Sequence, residues 1–244
     1  MQQVCDDGGS IIMGNYWLNS NLWGAQTGAG SQCLWDTSAD ADGSTIAWGT
    51  SWDWTGQTDT VKSYNCAVLG WHWGWKLANT GLPIRLSDHR SVQTSWNFDL
   101  TQTTPGGLNI SYDIWLSADP HLGDKIADHE IMIWLYHSGG VTPIGAKQTT
   151  ATLDGPMPIA GADWDLWEGE HPSRLWPVHS FVRTANTNAA SLNLTDFFDY
   201  LIAHESVSDA QYLISVEAGT EVFTGAGRLD TTAYSVEIGP AISG

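Results

Sequence analysis

Short apolar segments recur along almost the whole chain and are cut at close intervals by clusters of Gly, Asp, Asn and Ser. IIMGNYWLN, STIAWGTSWDW, VKSYNCAVLGWHW, LNISYDIWLS, EIMIWLY, QYLISVEAG and AYSVEIG are examples. Such spacing commits the backbone to many short antiparallel strands and predicts a β-sandwich. Alternation within the segments shows that the strands have two different faces. In SYDIWL, Tyr112, Ile114 and Leu116 share one side of the pleat, and Asp113 and Trp115 share the other. One face is expected to enter a core and the other to meet water. The periodicity predicts a single helix over Leu194 to His204, in which Phe197, Phe198, Leu201 and Ile202 recur at helical spacing. Asn193 or Thr195 is expected to cap it. The polar stretches Asp36 to Ser44, Asp119 to Asp128 and Thr149 to Gly161 read as surface loops.

A chain of 244 residues suits one large all-β domain, so residues 1–244 are expected to form a single unit. With 9 Lys and Arg against 27 Asp and Glu, the formal charge of -18 repels polyphosphates and anionic surfaces, which argues against nucleic acid and membrane as partners. A neutral polymer is indifferent to that charge. Fifteen Trp in a chain with only 15% charged residues implies that some indoles are exposed, where they suit stacking on the apolar face of a sugar. The three cysteines, Cys5, Cys33 and Cys66, allow one bridge and a free thiol, or three reduced thiols. Pairing Cys5 with Cys33 is favoured because it would tie down the N-terminal strand. The N-terminus MQQVCDDGGS has neither a basic segment nor an apolar run, and it reads as the mature form of a secreted protein. A monomer is expected.

Two carboxylates stand out. In HEIMIWLY, Glu130 shares a face with Met132, Trp134 and Tyr136, and Ile131, Ile133 and Leu135 point the other way. In VEAGTEVF, Glu221 lies beside Phe223, with Glu217 on the same parity. A glutamate inside an apolar strand is costly to bury unpaired, and two of them in aromatic settings suit hydrolysis of a glycosidic bond. The bland alternative is two solvated residues on an open sheet. HEIMI lacks the second His of a helical zinc site. Asp36, Asp40 and Asp42 before Gly43 do not have the spacing of a calcium loop. No metal or cofactor is called for. Asn109-Ile110-Ser111 and Asn193-Leu194-Thr195 are potential glycosylation sequons.

HEIMIWL and EAGTEVFTG resemble the nucleophile and acid/base strands of glycoside hydrolase family 12. NLWGA, VKSY, the GWHW segment, SYDIWL and LNLTDFFDYL follow in that family's order, so the resemblance spans nearly the whole chain. It implies a β-jelly roll of two curved antiparallel sheets with one short helix, and retaining endo-hydrolysis of β-1,4-glucans. Residue by residue, Glu130 matches the nucleophile, Glu221 the general acid/base and Asp113 the aspartate beside the nucleophile. Trp23 matches a sugar platform, Asn21 a polar contact beside it, and Met132, Trp134 and Phe223 groups around the reaction centre. Cys5 and Cys33 match the family's N-terminal disulfide. Retention would require a carboxyl separation of about 5 to 5.5 Å. Many members have proline after the acid/base Glu. Val222 stands there instead, and with GWHWGW, GLPIRLSD and SFVRTANTNAASLNLTDFF it is similar to bacterial members that act on xyloglucan, a plant cell-wall β-glucan. Trp71, Trp73 and Trp75, read as one strand face, are candidates for contacting its xylose branches. A general cellulase of the same fold and a non-catalytic sugar-binding jelly roll are the rival readings.

Overall fold

The computed structural model describes residues 1–148, 157–204 and 206–241. In chain order the strands are β1 (Gln3–Val4), β2 (Ser10–Met13), β3 (Tyr16–Asn19), β4 (Gly28–Ala39), β5 (Thr45–Gly56), β6 (Ser63–His72), β7 (Trp75–Lys76), β8 (Ile84–Arg85) and β9 (Val92–Thr104). They continue with β10 (Leu108–Ser117), β11 (His129–Ser138), β12 (Ala146–Lys147), β13 (Met157–Ile159), β14 (Ala162–Glu170), β15 (Pro177–Arg183) and β16 (Ala189–Asn193). Helix α1 (Thr195–Ala203) precedes β17 (Tyr212–Val222) and β18 (Gly225–Ile238).

Two sheets result. The smaller has six strands in the order β1-β4-β5-β18-β9-β16. The larger runs β12-β14-β15-β11-β10-β17-β6-β3-β2, with β13 on β14, β7 on β6 and β8 on β17. The expected sandwich is therefore present. Among the described residues pairing is antiparallel except between β11 and β15, which run parallel with Glu130 opposite Val178. A parallel pair needs a long crossover, and residues 139–176 supply it.

The core lies between the sheets. Tyr112, Ile114, Ile131, Ile133 and Leu135 of the larger sheet are fully buried against Trp48, Trp96 and Tyr234 of the smaller one. Trp96 bridges the two layers, with its ring 5.3 Å from that of Tyr112 and its indole N–H donating to Thr231 Oγ1 at 3.0 Å. Cys5 and Cys33 form the expected disulfide, anchoring the N-terminal segment to β4, and Cys66 is a buried free thiol.

The helix forms where periodicity places it, and Phe197 packs edge-on against Trp164 and Phe181 of β14 and β15. Its capping differs from expectation. Leu194 occupies the N-cap without a side-chain bond. Asn193 Oδ1 instead accepts the Val92 amide, and Thr195 Oγ1 donates to the Arg90 carbonyl. Both side chains thereby tie the helix start to the segment that enters β9, and Asn193 Nδ2 also donates to Asp196 Oδ1 in the first helical turn at 2.7 Å. The predicted loop over residues 36–44 is shorter than expected because β4 continues to Ala39. Of the predicted loop over residues 149–161, residues 149–156 lie outside the described residues.

Candidate active site

The face of the larger sheet turned away from the smaller one carries the carboxylates, as parity requires. Register across β11, β10 and β17 sets Met132 opposite Asp113 and Asp113 opposite Glu217, and Asn109 opposite Glu221. Glu130, two residues from Met132 along β11, is diagonal to Asp113. Glu130 and Asp113 are both about nine-tenths buried, at 8% exposure, Glu217 is fully buried, and Glu221 is half-buried.

Among the described residues, Glu130 and Glu221 each have one protein donor. The Trp176 indole N–H donates to Glu130 Oε2 at 2.6 Å. The Asn109 side-chain amide donates to Glu221 Oε2, also at 2.6 Å. Asn109 is itself oriented, because its Oδ1 accepts the Ser111 hydroxyl at 2.9 Å, which leaves the NH₂ end for the carboxylate. Ser111 in turn lies under Tyr64, whose hydroxyl donates to the Ser111 carbonyl at 3.0 Å.

Burial dominates the acid–base behaviour of the group. It pushes Glu221 up to about 7, with the Asn109 amide pulling the other way. It pushes Glu130 up to about 8, with the Trp176 N–H opposing and the charges of Glu221 and Glu217 adding to the rise. Asp113 is raised well above the carboxylate range by burial first and then by Glu130, Glu217 and Glu221. Clustered carboxyls out of water cannot all ionise together, so they share charge near neutral pH. One proton donor and one anion is the pairing that acid-assisted displacement at a sugar carbon requires.

Comparison with known proteins decides the family. The model of glycosyl hydrolase family 12 matches residues 14–239. The xyloglucan-specific endo-beta-1,4-glucanase A of Aspergillus aculeatus is 37% identical over 236 residues, covering 96% of this chain and 90% of that protein. The chain belongs to glycosyl hydrolase family 12. Endoglucanase S of Pectobacterium parmentieri is 34% identical, covering 96% of this chain and 86% of that protein. The native family 12 xyloglucanase of Bacillus licheniformis superimposes with a TM-score of 0.85 at 31% identity, covering 97% of this chain and all of that one.

Within this family 12 chain the other expected site residues divide into three groups. Met132, Trp134 and Phe223 come together in one cluster with Val141 and Val182 on the outer face, nearly buried. Trp23 is 47% exposed in the loop after β3. The next residue, Gly24, donates its N–H to the Lys62 carbonyl at 3.1 Å, and a Cβ there would lie 1.9 Å from the Val61 carbonyl oxygen, so glycine permits this close approach. Asn21 is fixed beside it through its backbone, its carbonyl accepting from Tyr64 N–H and its N–H donating to Asn65 Oδ1.

The three tryptophans of GWHWGW do not share a strand face. Gly70 adopts a left-handed φ of 96°, which breaks the alternation before Trp71, and Trp73 and Gly74, also at positive φ, turn the chain from β6 into β7. Trp71 is consequently 4% exposed, with its N–H donated to the Gly123 carbonyl, and it packs with Trp73 and Trp115. Trp75, half exposed, meets Trp17 edge-on at 4.3 Å on the other side of the hairpin. Trp73 therefore remains next to the outer face, with Trp115 and Trp176 as neighbours, and Trp71 becomes packing behind it.

Sequence reading missed Asn109 and Trp176. Asn109, read only as a sequon, is fully buried against Glu221, which removes it as a glycan acceptor in the folded chain. Its parity with Asp113 was the signal available. A buried polar chain beneath the site was missed too: Asn19 Nδ2 lies 3.0 Å from His72 Nε2, and His72 Nδ1 lies 2.9 Å from Glu217 Oε1, which also accepts the Ser215 hydroxyl.

Proposed function

We propose that this chain is a secreted, retaining endo-β-1,4-glucanase that prefers xyloglucan, with Glu130 as nucleophile and Glu221 as general acid/base. The observation that carries the reading is the placement of two carboxyls on one aromatic-lined face, each held by one N–H donor. Glu130 attacks the anomeric carbon as the bond to the leaving oxygen breaks and Glu221 passes its proton to that oxygen. The sugar is then held as an ester of Glu130. Glu221, now a carboxylate, takes a proton from water, whose oxygen attacks the same carbon and frees Glu130. Asp113 stands diagonally across from Glu130 and is raised well above the carboxylate range by burial and the neighbouring carboxylates, so it adds a proton donor beside the nucleophile rather than a third charge.

The preference for xyloglucan rests on the names borne by relatives such as those of Aspergillus aculeatus and Bacillus licheniformis, and on the exposed Trp23 and half-buried Trp73 as platforms. Binding energy from branches remote from the cleaved bond is able to raise turnover as well as affinity. Among the described residues, no helix is long and apolar enough to cross a membrane. Parallel initial rates on xyloglucan, carboxymethylcellulose and mixed-linkage β-glucan test the substrate. Equal or better efficiency on the unbranched glucans would return the enzyme to the general cellulases. Proton NMR of the first product tests the stereochemistry, and early α-anomer would mean inversion.

A further inference from the structure

We infer that Trp176 is a positioning residue for the reaction: its indole N–H pins Glu130 Oε2, leaving Oε1 as the attacking oxygen and favouring the carboxylate over the acid. The inference rests on Glu130 being the nucleophile.

The geometry is built from outside the catalytic strands. Trp176 precedes β15, which runs parallel to β11 with Val178 opposite Glu130. A residue two positions ahead of Val178 therefore arrives beside the Glu130 end of β11. Pro177 biases Trp176 toward an extended conformation. The turn that delivers Trp176 is tight: His171 N–H donates to the Trp176 carbonyl at 2.9 Å, Leu175 N–H donates to the His171 carbonyl at 2.9 Å, and Leu175 takes a φ of 62°. The indole is 5% exposed and immobilised among rings, with His171 at 4.5 Å, Trp115 at 5.3 Å and Trp73 at 5.7 Å. The Arg174 guanidinium lies 5.0 Å from the Trp73 ring centre and 5.9 Å from that of Trp176, linking the turn to the β6–β7 hairpin.

The donor is used selectively. Trp134, also buried on this face, has an indole N–H that meets no protein acceptor among the described residues, whereas that of Trp176 is spent on a carboxylate. An indole N–H donates and cannot accept, so it favours the anionic oxygen and gives nothing to a protonated one as acceptor of its proton. A group packed by three rings holds that oxygen without having to reorganise during the reaction.

The test uses Trp176→Phe, which keeps an aromatic ring and removes the donor. A 2-deoxy-2-fluoro cello-oligosaccharide with a dinitrophenolate leaving group labels the nucleophile in a step that needs little acid assistance, so the acidic limb of its pH profile follows the nucleophile alone. The variant is expected to be labelled roughly ten- to a hundredfold more slowly near pH 6. Its acidic limb should move upward by about one unit. Slower labelling with an unmoved limb would mean that Trp176 is only packing, and would overturn the inference. A label found by peptide mapping on a residue other than Glu130 would instead sink the nucleophile assignment itself. If the variant does not fold, indole ¹⁵N–¹H spectra of the unmodified enzyme decide: one indole resonance should follow the carboxyl titration and lose that dependence in Glu130→Gln. No indole resonance with that behaviour would overturn the proposal.

Discussion

The two faces of β10, β11 and β17 follow one pleat yet are held in different ways. On the core face Tyr112, Ile114, Ile131, Ile133, Val216 and Ala218 are fully buried and need only fill space, since apolar burial is non-directional. On the outer face Glu130, Glu217 and Glu221 are held by named partners at defined distances, and each would be costly without them. A strand of this protein is thus a stabilising surface on one side and a chemical instrument on the other, with alternate residues assigned to each. Substitutions on the core face should lower stability and leave the chemistry of the folded molecules intact. Those on the outer face should do the reverse.

The largest effect expected is on turnover. Glu130→Gln and Glu221→Gln should each lower kcat on a natural glucan by about three orders of magnitude or more, with the fold retained. Circular dichroism and initial rates check both halves. Near wild-type rates in either variant would remove that residue from the mechanism.

Ile133→Ala, one residue from Met132 but on the core face, is expected to cost about 2 to 5 kcal/mol of stability in urea denaturation. Its kcat per folded molecule should stay within a few-fold of the parent. A loss of kcat comparable with that of the Glu variants would show that the two faces are not separable.

Asn109→Ala removes the donor to Glu221 and should lower kcat roughly ten- to a hundredfold. The basic limb of the pH profile, which follows the proton on Glu221, should move upward, because the amide favours the carboxylate. An unchanged limb would leave Asn109 with a packing role only.

The smallest effect is on stability against pH, and its sign follows from the raised carboxyls. Glu130 and Glu221 have ordinary values near 4.5, raised in the fold to about 8 and about 7, so the folded chain binds more protons than the unfolded one between those limits. Their contribution is fully present below pH 4.5 and is lost as pH rises through the folded values. Each Glu→Gln variant should therefore gain on the order of 1 to 3 kcal/mol relative to the parent on going from pH 5 to pH 8. His129, lowered to about 4 by burial and by His179, acts in the opposite sense, since its contribution is present above pH 6.5 and is lost as pH falls from 6.5 through about 4. Denaturation of each variant beside its parent at both pH values isolates the carboxyl part. A constant difference would show that burial does not govern these groups.

The sequence by itself determined the sandwich, the helix position and the side of the sheet on which Glu130, Met132, Trp134, Asp113 and Glu221 stand. Those features depend on period-two and helical alternation, which each short segment carries within itself. It also supplied the Cys5–Cys33 pairing, through position along the chain and resemblance. The tertiary structure decided what the alternation could not encode. Gly70 and the Trp73-Gly74 turn split the three tryptophans, because a single left-handed residue resets the pleat beyond it. Asn193 and Thr195 tie the helix start to the segment entering β9 rather than capping its backbone, and Asn109 serves Glu221 rather than the surface. Trp176 reaches Glu130 only because β15 is laid parallel to β11 after the long crossover through residues 139–176. A side chain's partner across such a distance is fixed by register and packing, and neither is written in the residues next to it.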